Sequence, residues 1–291
     1  MTSPRACRKL FLSRKPACLL DCRAAARHAR RVIRFAVLGS GSGGNSAVVE
    51  CGATRLLVDA GLSALQISRR LEGLGIDPAS LDGILLTHEH GDHVGGLRVF
   101  VSKHDIPIFS TAHTSRVVRE SGVNGCAWKI FNSGTSFRIN DVEIRSFAVH
   151  HDAVDPVGFV IGSASGKKLG LLSDAGHVTH SMTDNLRGLD ALFVEANYDD
   201  ALLEADEKRP WATKQRISSR HGHLSNAQVA GLLGKIAHAG LSQVVLGHLS
   251  SDCNQPHLVL SHLGGALAAA GHTHIALHCA TQKAATPWFA V

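Results

Sequence analysis

The sequence predicts an α/β protein in which two β-sheets pack face to face between outer helices, a four-layer α/β/β/α body. Three observations carry this expectation. Strand signals outnumber helix signals in each half of the chain, the two halves run through them in a similar order, and no linker long enough to split residues 33–291 interrupts them. A single parallel sheet fits that order less well. Residues 34–38 read as the first strand, and 46–50 and 54–59 as a hairpin around Cys51-Gly52-Ala53. Leu65, Ile67, Leu71 and Leu74 give residues 63–74 a helical spacing. Residues 84–87 form a buried strand and 97–103 a helix. Strands recur at 106–110, 128–131, 136–139, 142–149, 157–162, 168–173 and 192–195. Ser225 caps a helix over 226–238, followed by a strand at 243–247, a helix at 256–270 and a last strand at 274–281.

With 291 residues, 44% of them hydrophobic, the chain can bury a sizeable core. Its net charge of +6 is unevenly placed: residues 1–34 hold ten Lys/Arg against Asp21 alone, a net of +9, leaving 20 against 23 and a net of −3 for the rest. The basic character therefore belongs to the first residues and does not argue that the folded body binds nucleic acid. Residues 1–32 are expected to be a disordered basic extension or the product of a start codon placed too far upstream. A mitochondrial-type targeting segment shares their composition. Arg14 and Lys15 break the apolar stretch that a secretory signal would need, and no run of about 18 apolar residues exists to span a membrane. Cys51, Cys126, Cys253 and Cys279 lie far apart, which reads as reduced thiols in a cytoplasmic protein.

The most informative stretch is Thr87-His88-Glu89-His90-Gly91-Asp92-His93, directly after an apolar run. A strand ending in a turn here can point His88 and His90 at one metal and Asp92 and His93 at a second. Imidazole and carboxylate suit Zn, Mn or Fe better than Mg or Ca. It is not the helical zinc-protease pattern, which requires a His where Asp92 stands. Further candidates close later strands: His150-His151-Asp152, Asp174 and His248. Gly39-Ser40-Gly41-Ser42-Gly43-Gly44 formally satisfies the dinucleotide fingerprint, with Asp59 near the place of the ribose-binding acid. The context fails, because a β-rich run follows where a helix must open. The loop can still approach a phosphate through bare backbone N–H groups.

The ordered set LGSGSGGNS, LLVDAG, THEHGDH, HDAVDPVGF, LLSDAG, FVEANYD, HGHLSN and GHLSSDCNQP resembles the metallo-β-lactamase superfamily, and within it the WalJ-like (YycJ-like) branch. The resemblance runs from about residue 34 to the C-terminus. It implies a metallo-β-lactamase-like sandwich over 33–291 and a 5′-to-3′ exonuclease acting on DNA rather than RNA. It also implies two divalent ions, Zn or Mn, that activate a hydroxide. His88, His90 and His151 would hold one ion and Asp92, His93 and His248 the other, with Asp174 bridging. His151 rather than His150 takes the family's position before Asp-Ala. Asp59 resembles the superfamily's buried supporting acid. Asp92 and His223 are the expected catalytic residues, His223 meeting the scissile phosphate or the leaving oxygen. Lys208, Arg209, Lys214, Arg216 and Arg220 precede His223 and read either as a solvated loop or as a phosphate-steering edge. The interval from Asp174 to His248 is too short for the cap domain of RNA 3′-end-processing relatives. Two other readings stay open: a thioester, lactone or β-lactam hydrolase on the same metals, and a non-catalytic metal-binding regulatory module.

Overall fold

A computed structural model describes residues 32–291. The expectation of a basic extension falls on residues outside these, apart from Val32. Two seven-stranded sheets form the body. The first runs β14-β1-β2-β3-β4-β5-β6, built from β1 (Ile33–Gly39), β2 (Ser46–Cys51), β3 (Thr54–Val58), β4 (Gly83–Leu85), β5 (Ile108–Ser110), β6 (Trp128–Ile130) and β14 (Phe289–Ala290). The second runs β13-β12-β11-β10-β9-β8-β7, built from β7 (Ser136–Ile139), β8 (Val142–Ala148), β9 (Val157–Gly162), β10 (Lys168–Leu172), β11 (Ala191–Glu195), β12 (Gln243–Gly247) and β13 (Ala276–Cys279). Each sheet opens with antiparallel hairpins and continues with parallel crossovers, β3-β4-β5-β6 in one and β10-β11-β12-β13 in the other.

The layering follows from period-two alternation. In β1, Ile33, Phe35 and Val37 enter the core between the sheets, while Ala36 and Leu38 face the helices. In β11, Ala191 and Phe193 point inward and Leu192 and Val194 outward. Helices α1 (Ala64–Gly73) and α3 (Leu97–Val101) cover the first sheet. Helices α5 (His180–Asn185), α8 (Asn226–Ile236) and α9 (Pro256–Ala269) cover the second. Ser63 caps α1 by accepting from Gln66 N, and Ser225 with Gln228 forms a full capping box on α8. The result is the expected four-layer sandwich. Among the described residues no helix is long and apolar enough to cross a membrane.

The differences from the sequence reading have local causes. The strand expected at 274–281 covers only Ala276–Cys279, because His272 turns back to Leu267 O at 2.8 Å and ends α9. The two-residue β14 is too short to leave a periodic signal. Helix α4 (Ala112–Glu120) carries little apolar periodicity in the sequence because its buried face includes Thr114 and Ser115 beside Val118. The short α2 (Gly91–Val94), α6 (Asp200–Ala205) and α7 (Trp211–Ile217) were also missed, and α7 buries no residue at all. The segment read either as a solvated loop or as a phosphate-steering edge is therefore partly helical. Phe159 is fully buried between the sheets, whereas Val154 is 49% exposed. Phe159→Ala should cost about 3–5 kcal/mol in urea denaturation, and Val154→Ala under about 0.5 kcal/mol.

Candidate metal centre

The strand ends converge on one rim of the sandwich. Asp59 follows β3, Thr87 and His88 follow β4, His151 follows β8, Asp174 follows β10 and His248 follows β12. Helix α2 supplies Asp92 and His93. Asp59, Asp174 and His248 all hold positive φ, at 58°, 45° and 52°. They are three of the four non-glycine residues in that region among those described. Asp and His tolerate it better than bulky residues, and such strain gathers at functional sites. A Cβ on Gly61 would collide with the Asp92 carbonyl oxygen, so only glycine lets the 59–62 turn pass under the His cluster.

Two donor groups, His88/His90/His151 and Asp92/His93/Asp174/His248, lie side by side, and a third, Glu195/His223/His248, adjoins them; in each the ligand atoms lie within 4.8 Å of one another. Asp174 Oδ2 lies 3.7 Å from His88 Nε2, 3.9 Å from His151 Nε2 and 3.1 Å from His93 Nε2. Its Oδ1 is 3.7 Å from His248 Nε2, so this carboxylate faces both groups. Asp92 Oδ2 is 3.2 Å from His248 Nε2 and 3.6 Å from His93 Nε2. His90 Nδ1 meets His151 Nε2 at 3.2 Å.

The far side of each ring is also held, which fixes its orientation. Asp59 Oδ2 meets His93 Nδ1 at 2.8 Å and also accepts from the Thr87 hydroxyl, while Oδ1 accepts from Thr87 N. Thr87 Oγ1 lies 3.0 Å from His88 Nδ1. His151 Nδ1 reaches Gly222 O at 2.9 Å, His90 Nε2 reaches Asp152 O at 3.2 Å, and the Asn197 amide meets His248 Nδ1 at 2.9 Å.

Burial, with His93 nearby, lowers the His88 pKa well below the usual histidine range and leaves the ring a neutral donor. Burial alone would lower His93 too, but the Asp174 and Asp59 carboxylates overcome it and raise the pKa well above normal. For Asp174, burial pushes the pKa up, and His248 and His93 more than reverse this. The Asp174 carboxylate thus stays ionised in a buried place that demands positive charge. His88 Nε2 is buried with no hydrogen-bond partner. An orphaned imidazole nitrogen aimed among ionised carboxylates and other imidazoles fits a bound divalent cation, and the N/O donor set suits Zn or Mn.

The structure brings His223 beside this centre, with ring centroids 5.1 Å from His248 and 5.2 Å from His151. Its Nδ1 meets Glu195 Oε1 at 2.9 Å. Burial lowers the His223 pKa, but Glu195 outweighs it, and the net is a rise to about 9. Sequence reasoning assigned no role to Glu195. The signal was available, since Glu195 closes β11 as Asp174 and His248 close their strands, and it is completely buried. Asn45 was also missed. Its Nδ2 lies 3.2 Å from Asp92 Oδ2 and 3.1 Å from His93 Nε2, which brings the glycine-rich loop to the centre. That loop leads into β2, not into a helix, so the dinucleotide reading fails on structure as on sequence.

His150 turns away from the cluster, toward His177 and His221. The basic segment is largely neutralised. Lys208 pairs with Asp252, Arg209 with Asp206 and Asp252, and Arg216 with Asp152 at 2.6 Å. Lys214 donates to Glu204 O, and Arg220 lies against His177. An open phosphate-steering edge is therefore not what most of these side chains form.

Residues 54–249 match the family model described as the beta-lactamase superfamily domain. The chain is 36% identical over 225 residues to exodeoxyribonuclease WalJ of Streptococcus pneumoniae serotype 2, covering 76% of this chain and 83% of that protein. Against exodeoxyribonuclease YycJ of Bacillus anthracis the identity is 33% over 228 residues, covering 78% and 86%. Among solved structures, the metallo-beta-lactamase fold protein YhfI of Bacillus subtilis superposes with a TM-score of 0.65 at 15% identity, covering 87% of this chain and 99% of that one. With the donor-bearing strand ends arranged as above, the chain belongs to the metallo-β-lactamase superfamily, in its WalJ-like branch.

Proposed function

We propose that this protein is a metal-dependent phosphodiesterase, a 5′-to-3′ exonuclease on DNA that works with two divalent ions, Zn or Mn. His88, His90 and His151 would hold one ion, Asp92, His93 and His248 the other, with Asp174 between them. The observation that carries the reading is this donor set with His223 beside it, its Nδ1 held at 2.9 Å by the buried Glu195 carboxylate. The relatives named exodeoxyribonucleases support the choice of DNA. A cytoplasmic setting is part of the same reading, supported by four separate free cysteines among the described residues.

Bound divalent ions supply Lewis acidity and lower the pKa of water toward neutrality. The remaining work falls to side chains. Asp92, whose side chain is 24% exposed against 5% for Asp59 and 2% for Asp174, is the carboxylate placed to orient an attacking water. His223 carries its proton below about pH 9. Glu195 holds Nδ1 and leaves Nε2 to neutralise a phosphoryl oxygen or protonate the leaving one. An uncharged acyl substrate has no comparable need for an imidazolium, which weighs against the thioester and lactam readings.

His223→Ala should keep its metal content by elemental analysis and lose about 10²–10³ in rate. A variant that loses metal, or keeps full rate, would count against the assigned role. Asp59→Asn should keep the fold by circular dichroism and bind metal about 10–100-fold more weakly in chelator competition. Given a phosphodiester dye, a thioester dye and a lactam dye, the purified protein should turn over only the first; preference for either of the others would sink the phosphodiesterase reading.

A further inference from the structure

On the flank of His151 and His223 a second group of side chains gathers that the proposed chemistry does not use: His150, His177, Arg220 and His221. Each stands one to three residues from His151, Asp174 or His223, on the same three loops. The His150 ring meets His177 edge to face, with centroids 4.8 Å apart, and lies nearly parallel to His221 at 6.3 Å.

Backbone contacts lace the three loops together. Gly176 N donates to His150 O at 2.8 Å, and Asp152 N donates to His221 O at 3.0 Å. A Cβ on Gly176 would collide with the Arg220 carbonyl, so only glycine lets these two loops approach so closely. His177 Nδ1 donates to Arg220 O at 3.0 Å, which leaves Nε2 to accept from Arg220 Nη2 at 3.3 Å. One imidazole thus holds the arginine by its carbonyl and by its guanidinium.

The group has no counter-charge. Arg220 is permanently charged and carries five N–H donors, and among the described residues it forms no ion pair. The basic residues before it differ, since Lys208, Arg209 and Arg216 face Asp252, Asp206 and Asp152. Both the His150 and His221 side chains are exposed, and neither ring makes a hydrogen bond among the described residues. Burial, then His177, His221 and Arg220, lower the His150 pKa, and no carboxylate opposes them. A fixed guanidinium flanked by two unengaged imidazoles fits a phosphate group.

Its place decides which phosphate. The glycine-rich loop meets the centre at Asp92 and His93 through Asn45, whereas this group adjoins His151 and His223. An enzyme that cuts at a strand end leaves one nucleotide on one side of the cut and the remaining strand on the other. A charged anchor serves the part that stays bound, because phosphate contacts supply most sequence-independent affinity. We propose that Arg220, with His150 and His221, binds a backbone phosphate beyond the scissile bond, on the part of the strand retained after cleavage. The assignment rests on the nuclease reading. Arg220 supplies the charge, His150 and His221 supply ring N–H donors, and His177 keeps the guanidinium in position.

The test is fluorescence anisotropy of the full chain loaded with Mn, using a single-stranded oligonucleotide protected by phosphorothioate linkages, between about 50 and 200 mM salt. It is paired with digestion of an unprotected oligonucleotide and of a dinucleotide, which ends before the proposed phosphate. Arg220→Ala should weaken binding about tenfold at the lower salt and make the slope of log affinity against log salt shallower by about 0.7. Arg220→Lys should keep the slope and recover part of the affinity. His150→Ala and His221→Ala should each weaken binding about threefold, with the slope intact. Melting temperature and metal content should stay unchanged in all four variants. In digestion, Arg220→Ala should raise KM for the oligonucleotide and leave the dinucleotide unaffected. An unchanged salt slope in Arg220→Ala, or an equal KM rise for the dinucleotide, would overturn the proposal. So would an additional bound metal that disappears in His150→Ala and His221→Ala, which would make the group a metal site instead. The expected loss of slope, without digestion of any oligonucleotide by the parent chain, would sustain the phosphate site and remove the nuclease reading.

Discussion

The rest of this structure depends on keeping the Asp174 carboxylate ionised where almost no water reaches it. Its side chain is 2% exposed, and removing a charge from water costs several kcal/mol unless opposite charge and hydrogen bonds stand close by. His93 and His248 provide that charge in the protein described here, and a divalent ion is the stronger alternative. The surrounding backbone follows from this need. Asp59, Asp174 and His248 leave their strands through left-handed conformations, which turn their side chains back over the rim instead of along the strand. Each such residue costs about 1–3 kcal/mol, a cost that two well-packed sheets can carry.

Much of this was legible in the residues. The strand pattern is strong because inner and outer faces are both apolar, as in β1 and β11, and the crossovers leave clear helical stretches such as α1 and α8. The clustering of His88, His90, Asp92 and His93 announces metal chemistry by ligand type and spacing alone. Asp174 and His248 were recognisable as polar residues ending buried strands. Less visible were features that depend on distance between elements. Nothing near Asn45 in the sequence says that its amide reaches Asp92 and His93. Glu195 resembles any acid at a strand end until His223 is found 2.9 Å away. The basic residues before His223 look like a binding edge in sequence, yet their carboxylate partners Asp152, Asp206 and Asp252 bring most of them into internal ion pairs.

Those ion pairs change what the neighbourhood of His223 does. Arg216 clamps Asp152, whose own carbonyl meets His90, and His151 reaches Gly222 O in the turn leading to His223. Helix α7 and the turn after it therefore act as a brace for one half of the centre. Of the five cations there, Lys208, Arg209 and Arg216 already face carboxylates, whereas Lys214 and Arg220 contact only a backbone carbonyl and a histidine and keep their charge.

The C-terminal segment returns to the first described strand, β1. After β13 completes the second sheet, Thr286 bonds Val37 through both its backbone N–H and its hydroxyl, and Phe289 meets Phe35 at a tilt as β14 joins the first sheet. The two sheets are thereby stitched together along an edge remote in sequence from the crossovers. Such a body cannot splay its sheets apart along this edge, so the rim that carries the donor residues keeps a constant width.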